Sequence, residues 1–262
     1  MVQCVMARIF ISGSADGLGL MAGEWLLARG HAVTFHARSE KRADDLKRKL
    51  TSANDVVIGD VSTIAATRDV ADQVNRVGAH DAVIHNVAIG YQGPRREETE
   101  DGLSRLFAVN TLAPYLLTAL IEKPRRLVYL SSGLHQSGDP DVSDLQWTKR
   151  RWNGMQAYSD SKLHDCWIAF WVARRWRQVK SNAVDPGWVA TKMGGPGAPG
   201  NLAKGAVTQA WLAVSDDAAA NVSGEYFHHQ KTKTASPNAH RTDLQDRLME
   251  YCREITGVEI AA

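Results

Sequence analysis

A glycine-rich turn near the start of the chain, between a strand and a helix, limits the possible folds more than any other feature. The apolar run at 7–12 contains β-branched residues and favours a strand, and a helical pattern follows through Leu20, Trp25 and Leu26. Glycines between them let the backbone approach a pyrophosphate and direct amides and the helix N-terminus at it. Such turns also occur without ligands, but the strand and helix around this one predict a dinucleotide site.

The same alternation of strand and helix continues along the chain. Strands are predicted at 31–37, 56–59, 81–86, 126–130, 182–185 and 225–228. Helices are predicted at 40–50, from a Ser62 cap to 76, after Leu103, from Tyr158 to 177, at 202–214 and at 241–255. We therefore expect an α/β fold of the Rossmann type, with a doubly wound, seven-stranded parallel sheet flanked by helices on both faces. One domain is expected over 1–262, with substrate loops at about 133–156 and 188–203.

Charge and cysteine content bear on partners and compartment. The 262 residues include 31 Lys and Arg against 29 Asp and Glu, and a net charge of +2 gives no reason to expect nucleic acid or an anionic membrane as partner. Cys4, Cys166 and Cys252 lie far apart without metal-ligand spacing, which favours a reducing compartment. The first seven residues do not resemble a signal peptide, and the apolar runs are too short to span a bilayer. A cytoplasmic protein without a metal is expected, since His228-His229 has no partner at ligand spacing.

A second informative stretch is 157–163, where Tyr158 and Lys162 are four residues apart. On a helix the two side chains lie on one face and can point to one spot. An ammonium beside a phenol favours the phenolate, so the pair is expected to lower the tyrosine pKa from about 10 towards a range useful for proton transfer. Surface helices also contain such pairs by chance, so the interpretation depends on the rest of the chain.

Six motifs in this order resemble the short-chain dehydrogenase/reductase family. They are Ser12-Gly13-(x)3-Gly17-Leu18-Gly19, His85-Asn86-Val87-Ala88, Asn110, Ser131-Ser132-Gly133, Tyr158-(x)3-Lys162 and Pro186-Gly187-(x)-Val189-(x)-Thr191. The resemblance covers essentially the whole chain. The loop at 144–154 is similar to the retinol-dehydrogenase-like branch, and the part beyond Thr191 to bacterial members of it. Ser12 replaces the usual Thr but keeps a hydroxyl, while His85 and Ala88 replace the Asn and Gly of an Asn-Asn-Ala-Gly stretch near the adenine ribose.

The resemblance implies an NAD(P)(H)-dependent oxidoreductase that interconverts a carbonyl and an alcohol by hydride transfer. By it, Tyr158 is the general acid/base, and Ser132, rather than the inward-facing Ser131, hydrogen-bonds the substrate oxygen. Lys162 lowers the tyrosine pKa and binds the nicotinamide ribose, and Asn110 holds the water of a proton relay. Val189 offers its backbone to the carboxamide and Thr191 a hydroxyl to the phosphates. The implied cofactor-binding set is Gly13, Ser14, Asp16, Gly17, Leu18, Gly19, Arg38, Asp60, Val61, Asn86, Val87, Ala88, Tyr158, Lys162, Pro186, Gly187, Val189 and Thr191.

Two residues bear on the choice of cofactor. Arg38, at the end of the second predicted strand, is placed to accept a 2′-phosphate, which favours NADP(H) over NAD(H). The carboxylate of Asp16, inside the glycine turn, would repel that phosphate if it pointed there. We therefore expect NADP(H), with Asp16 as the opposing influence.

Two other functions are compatible with this fold. A non-catalytic dinucleotide sensor would lose Tyr158 or Lys162, and this chain keeps both. A nucleotide-sugar epimerase or dehydratase uses a similar Tyr/Lys pair, but the glycine spacing and the modest C-terminal region favour a reductase. The expected partners are a small-molecule carbonyl or alcohol substrate and further copies of the chain, in a homodimer or homotetramer. The Gly/Pro-rich segment 194–200 is expected to be a mobile lid, helped by Trp188 and Met193.

Overall fold

The computed structural model describes residues 6–53 and 55–261, so Cys4 lies outside the described residues. The strands are β1 (Arg8–Ile11), β2 (Ala32–Ala37), β3 (Asp55–Ile58), β4 (Ala82–His85), β5 (Arg126–Leu130), β6 (Lys180–Asp185), β7 (Tyr226–His228) and β8 (Lys231–Thr232). The helices are α1 (Gly17–Leu27), α2 (Glu40–Lys49), α3 (Ile64–Val77), α4 (Arg105–Phe107), α5 (Ala113–Leu120), α6 (Gly154–Arg175), α7 (Leu202–Val214) and α8 (Thr242–Thr256). A π-helical turn, Ala108–Leu112, joins α4 to α5, and short 3-10 turns lie at Gly133–Ser137 and Pro237–His240.

The strands form one sheet in the order β3-β2-β1-β4-β5-β6-β7-β8. The first seven are parallel, and β1 pairs with both β2 and β4, which makes the position between β1 and β4 the point where the winding reverses. The predicted doubly wound Rossmann-type fold is confirmed. The strand count was wrong by one, because β8 adds an antiparallel edge beside β7.

The additional strand follows a two-residue turn. His229 and Gln230 have φ of 48° and 61°, the left-handed conformation that joins tightly connected antiparallel strands. β8 itself contains two exposed residues, Lys231 and Thr232. A strand that short has no alternation of apolar and polar residues, so the sequence carried no signal for it.

Two apolar layers cover the two faces of the sheet, because alternate strand residues point to opposite faces. On one face Phe10, Val83 and Leu127 pack with residues of α3, α5, α6 and α8. On the other, Ile9 and Ile84 pack with residues of α1 and α7. This burial on both faces fixes the strand ends, and with them the loops that follow each strand at the carboxyl edge.

Two predicted helix features differ from the structure. The cap of α3 is Thr63 rather than Ser62, since the Thr63 hydroxyl accepts a hydrogen bond from the Ala66 amide at 3.2 Å. The single long helix predicted after Leu103 is interrupted by the π-helical turn, which contains Asn110. Within the described residues, no helix is both long enough and apolar enough to cross a membrane.

Candidate active site

A cleft of about 1090 Å³ lies at the carboxyl ends of the parallel strands. It begins at the glycine turn after β1, passes the loops after β4, β5 and β6, and ends against α6. Ligands of open α/β sheets bind at this edge, beside the point where the winding reverses. The cleft is large enough for a dinucleotide and a small substrate together.

The glycine turn is packed so closely that side chains would not fit. Gly13 has φ of +64°, and a Cβ there would lie 2.8 Å from the Cα of Val87. A Cβ on Gly19 would lie 2.5 Å from Asn86 Nδ2. That nitrogen donates to the carbonyls of Ser12 and Gly13 at 3.0 and 2.9 Å. The loop after β4 therefore supports the glycine turn from below.

Two of the three departures from the family pattern, Ser12 and His85, are buried and have partners within the protein. Ser12 Oγ accepts hydrogen bonds from the amides of Asn86 and Val87 at 3.0 and 3.1 Å, so a serine hydroxyl is sufficient here. His85 is buried, stacks on Tyr129 at 4.5 Å between ring centroids and contacts Thr118 Oγ1 through Nε2 at 3.1 Å. Burial lowers the pKa of His85 to about 3, so the ring is neutral. His85 is not among the residues that line the cleft.

The turn also fits the phosphates of a dinucleotide. Within the described part of the chain, no side chain caps the N-terminus of α1, so its first amides are not occupied by a capping oxygen, although nearly all such amides find a partner in folded proteins. Those amides and the positive end of the helix dipole lie at the floor of the cleft, beside Gly17 and Leu18. The glycine cradle and these amides together match a pyrophosphate.

Two cations pair with the single carboxylate of this turn, and a third lines the same cleft. Asp16 Oδ2 accepts hydrogen bonds from Arg42 Nη2 at 2.5 Å and from Lys192 Nζ at 3.0 Å, and Arg38 lines the same end of the cleft. Burial alone would raise the pKa of Asp16, but the bonds from Arg42 and Lys192 outweigh it and lower the pKa. The carboxylate is thus ionised and paired, and the local charge is positive.

The predicted Tyr158–Lys162 pair lies on α6, with Lys162 Nζ at 5.6 Å from the Tyr158 ring centroid. Both residues line the cleft, as does Ser132 at the end of β5, whose Oγ accepts from the Leu134 amide at 3.2 Å. Ser131 is buried and donates to the Lys162 carbonyl at 2.7 Å. Both serines line the cleft, but the Ser131 hydroxyl donates into α6, whereas the Ser132 hydroxyl acts only as an acceptor among the hydrogen bonds of the described residues.

The pKa of Tyr158 differs from the expectation. Burial raises it above the ordinary value, and the nearby Lys162 ammonium offsets that rise only in part. One cause is the partner of the ammonium: Lys162 Nζ donates to the Asp165 carboxylate and to the Leu130 carbonyl, each at 2.8 Å. A paired ammonium acts on the phenol more weakly than a free one.

Asn110 lies beneath the cleft, in the π-helical turn. Its Oδ1 accepts from the Ile89 amide at 2.8 Å, and its Nδ2 donates to the Ile89 carbonyl and to Ser161 Oγ, each at 3.1 Å. The side chain thus fastens the loop after β4 to α6. Pro114, four residues later, has no N–H, so the Asn110 main-chain carbonyl cannot accept the α-helical hydrogen bond.

Most of the implied cofactor residues line the cleft. These are Gly13, Asp16, Gly17, Leu18, Arg38, Asp60, Val61, Asn86, Val87, Ala88, Tyr158, Lys162, Pro186, Gly187, Val189 and Thr191. Two others support the turn from inside. Ser14 Oγ donates to the Ile11 carbonyl at 2.8 Å and accepts from the His36 amide at 2.9 Å, while Gly19 is buried against Asn86.

Of the further residues that line the cleft around Tyr158, Trp188 and Met193 were named from the sequence with the lid, and the others were missed. Tyr91 lies edge-on to Tyr158 at 5.6 Å between ring centroids, and Met193 Sδ lies 3.8 Å from Tyr158 Oη. The cleft is lined further by Ile89, Leu134, Met155, Trp188 and His228. These residues come from separate segments of the chain, so nothing in local spacing could have grouped them.

The His228-His229 pair has a different environment from a metal site. His228 Nδ1 lies 3.3 Å from Asp185 Oδ2, and the two imidazoles stack with centroids 3.8 Å apart. Across residues 6–53 and 55–261, no group of three or more His, Cys, Asp or Glu side chains is arranged to hold a metal ion. Cys166 and Cys252 are buried free thiols.

A doubly wound sheet with a glycine turn where its winding reverses, and a tyrosine and lysine beside that turn, defines the class of Rossmann-type oxidoreductases that use nicotinamide dinucleotides. The family model described as enoyl-(acyl carrier protein) reductase matches residues 13–222. An uncharacterised oxidoreductase of Emericella nidulans is 40% identical over 259 residues, covering 97% of this chain and 99% of that protein. The short-chain dehydrogenase chyC of Penicillium rubens is 39% identical, covering 98% and 100%. The chain belongs to the short-chain dehydrogenase/reductase family.

More distant relatives and solved structures are also similar to the chain, and the solved structures share its fold. Human retinol dehydrogenase 13 is 27% identical, covering 96% of this chain and 85% of that protein. The relatives at about 40% identity are fungal, so the resemblance to bacterial members stays a prediction. A solved structure of an uncharacterised protein from Mycobacterium paratuberculosis has a TM-score of 0.83 at 24% identity, covering 98% of this chain and 95% of that one. A blue fluorescent protein from a metagenomic library, solved with NADPH, has a TM-score of 0.68 at 21% identity, covering 86% and 97%.

Proposed function

We propose that this protein reduces the carbonyl of a bulky, apolar ketone or aldehyde to an alcohol, with NADPH as its cofactor. The observation that carries the proposal is the meeting of Tyr158, Ser132 and Lys162 in one cleft, directly below an apolar wall. NADPH, when bound, supplies the hydride for the carbonyl carbon. Residues at the cleft hold the substrate oxygen, donate the proton and stabilise the phenolate that remains.

Each of these side chains has one task. Ser132 Oγ hydrogen-bonds the substrate oxygen and fixes the carbonyl beside Tyr158. Tyr158 Oη donates its proton to that oxygen as the carbon is reduced, so that an alcohol leaves and a phenolate remains to be reprotonated from solvent. The Lys162 ammonium stabilises the phenolate and has a donor left for a ribose hydroxyl. The main-chain carbonyl of Asn110, rather than its occupied side chain, is the group available to a relay water.

Charge at the far end of the cleft supports NADPH over NADH. Arg42 and Lys192 pair with Asp16, and Arg38 also lines the cleft, so these three cations outnumber the two carboxylates of the lining near the glycine turn, Asp16 and Asp60. The repulsion expected from Asp16 is therefore outweighed locally. A 2′-phosphate is matched by arginine, whose planar fork binds phosphate oxygens in pairs.

We expect Arg38→Ala to raise the KM for NADPH roughly ten- to a hundredfold, because one charge-assisted contact to phosphate contributes about 1.5 to 3 kcal/mol. The KM for NADH should change little, since NADH lacks the 2′-phosphate. Ala37→Asp, which places a ribose-binding acid at the strand end, should shift preference towards NADH. Steady-state kinetics with both cofactors measures this, and Lys47→Ala on the outer part of α2 is the matched control. Equal use of both cofactors by the unmodified protein, unchanged by Arg38→Ala, contradicts the assignment.

The wall beyond Tyr158 supports a bulky apolar substrate. Tyr91, Leu134, Trp152 and Met193 pack beside Tyr158 and Trp147 in one apolar cluster. Trp188 is 61% exposed, and its Nε1 donates to the Gly194 carbonyl at 2.9 Å, which holds the indole at the cleft rim. An apolar wall with an exposed indole at its rim favours flat or branched hydrocarbon surface over small polar carbonyls.

The segment 188–200 is the proposed lid over this wall. Its base is closed by the pairing of Val189 with Gly200. Its tip is open, since a Cβ added at Gly195 or Gly197 would meet no atom of the described residues within 4 Å. Lys192 reaches from the lid to Asp16 on the glycine turn, 176 residues away in sequence. The lid therefore extends from the part of the cleft near Tyr158 to the part near the glycine turn.

We expect NADPH with a substrate analogue to slow tryptic cleavage after Lys192 several-fold, because closure buries this segment. Deleting 196–198 should raise the KM for bulky ketones more than the Kd for NADPH. Cleavage at exposed Arg48 on α2 serves as the internal control. Equal cutting after Lys192 with and without ligand would mean that the segment does not close.

The two alternative functions make different demands. A dinucleotide sensor has no use for an apolar wall facing the phenol, and the wall here surrounds Tyr158. An epimerase or dehydratase needs room for a nucleotide-sugar, and within the described residues only α7, β7, β8, the 3-10 turn at Pro237–His240 and α8 follow the last motif. The deciding test follows nicotinamide absorbance with NADPH and NADH against a panel of aromatic ketones, aliphatic aldehydes and quinones. Binding of NADPH without oxidation of it by any member of the panel would favour the sensor.

A further inference from the structure

Asp165 is a buried carboxylate next to the reacting tyrosine that no motif of the family resemblance includes. It lies one helical turn after Lys162 on α6, and both side chains are 3% exposed. Its Oδ2 accepts a hydrogen bond from Lys162 Nζ at 2.8 Å. Lys162 lines the cleft and Asp165 does not, so the carboxylate holds the ammonium from behind.

The contacts of Lys162 fix where its charge is placed. An ammonium has three N–H donors. One goes to the Leu130 carbonyl on β5 and one to Asp165, each at 2.8 Å, which leaves one for the cleft. These two hydrogen bonds therefore fix the position of the ammonium relative to Tyr158. An ammonium that is paired with a carboxylate acts on Tyr158 as a dipole. It therefore stabilises the phenolate less than an isolated ammonium would.

The other titratable groups around the pair do not cancel this effect. Asp185, at the end of β6, is a second carboxylate that acts on Tyr158 in the same direction as Asp165. The remaining neighbours are the Tyr91 phenol on the loop after β4, the Tyr129 phenol on β5 and the Cys166 thiol on α6. Burial raises the pKa of Tyr129 and of Cys166, so these two groups are neutral at pH 7. His228 Nδ1 lies 3.3 Å from Asp185 Oδ2.

We propose that Asp165 is a positioning residue that offsets the charge of Lys162, so that the Tyr158 hydroxyl keeps its proton at neutral pH and acts as an acid in carbonyl reduction. The inference rests on the proposed function, because it assigns Tyr158 as the proton donor. It adds that alcohol oxidation, in which Tyr158 must start as a base, should continue to speed up with pH well above neutrality. The direction found for the Tyr158 pKa, above its ordinary value, agrees with this.

The direct test is a titration of the Tyr158 phenol by ultraviolet difference absorbance, with and without NADP⁺. Subtracting the spectra of Tyr158→Phe isolates its signal from the other tyrosines. Asp165→Asn keeps the shape and an accepting oxygen but removes the charge, and should lower the Tyr158 pKa by about one unit or more. Asp216→Asn removes one charge from a fully exposed position and should leave the pKa unchanged. An unchanged or higher pKa in Asp165→Asn would overturn the proposal.

Kinetics give an independent readout in the protein as it exists. The readout is the pH dependence of kcat/KM for oxidation of the alcohol product of an active ketone from the panel, because that rate rises with the phenolate fraction and levels off above the Tyr158 pKa. In Asp165→Asn the pH at which kcat/KM levels off should move down by about one unit or more. An unchanged pH profile would indicate a merely structural role and would overturn the proposal.

Two outcomes separate this inference from the proposed function. If Tyr158→Phe keeps full reductase activity, the proposed function fails. If Tyr158 is required and titrates, yet Asp165→Asn leaves its pKa in place, only this inference fails. If Asp165→Asn does not fold, the titration of the unmodified protein tests the inference. The inference requires the pKa of Tyr158 to lie above that of free tyrosine, about 10, and a pKa well below that value would overturn it.

Discussion

Tyr158→Phe should lower kcat for carbonyl reduction at least about a hundredfold, because a positioned general acid contributes about two to four orders of magnitude. The Kd for NADPH should remain nearly unchanged. Apart from its place over Lys162, the Tyr158 hydroxyl contacts only Met193 Sδ, at 3.8 Å, among the hydrogen bonds of the described residues. Removing that oxygen therefore disturbs the chemistry without disturbing the packing of the ring against Tyr91.

The measurement pairs steady-state rates with NADPH fluorescence titration. Tyr251→Phe on α8 is the matched control, since it removes the same hydroxyl far from the cleft and should keep the unmodified rate. Retention of more than a few per cent of the rate by Tyr158→Phe would mean that another group supplies the proton.

Lys162→Met should abolish most turnover, weaken NADPH binding and destabilise the fold at the same time. Methionine keeps the length of the side chain, but it leaves the Asp165 carboxylate buried without its cation. Breaking a buried ion pair in this way costs about 3 to 5 kcal/mol of unfolding free energy. The ribose-binding donor and the stabilisation of the phenolate are lost with the ammonium.

The double variant Lys162→Met with Asp165→Leu separates these effects. Removing both charges should recover much of the lost unfolding free energy, as measured in urea, because no uncompensated charge remains buried. Turnover should not recover, since the ammonium is still missing. Full stability in Lys162→Met alone would contradict the tight pairing of Lys162 with Asp165.

Features encoded by local spacing were predictable from the sequence. The glycine turn, the bounds of α7 at 202–214 and of β5 at 126–130, and the placement of Tyr158 and Lys162 on one helix face follow from periodicity over a few residues. The doubly wound sheet follows in turn, because repeated strand–helix units close in few ways.

Features that depend on distant pairing were not predictable. The hydrogen bond between Lys192 and Asp16 joins residues that are 176 apart in the sequence. From the sequence alone, the Asp16 carboxylate was therefore expected to repel the 2′-phosphate of NADPH. Whether His85 faces the cleft or the core depends on Tyr129 and Thr118, which belong to other elements. Asp165 is different, since its spacing of three from Lys162 places it on the same helix face. That spacing could have been read from the sequence. The strength of the ion pair between Lys162 and Asp165 depends on its burial, which only the structure shows.

The most direct test of the account uses NADPH deuterated at the transferring position of the nicotinamide and an α,β-unsaturated aromatic ketone as substrate. The family model that matches the chain is described as a reductase of enoyl groups, whereas the proposed function assigns Ser132 and Tyr158 to a carbonyl oxygen. Product analysis by NMR locates the label. The account predicts deuterium on the carbinol carbon of an allylic alcohol, with no label transferred by Tyr158→Phe. Deuterium on the β-carbon of a saturated ketone would contradict it.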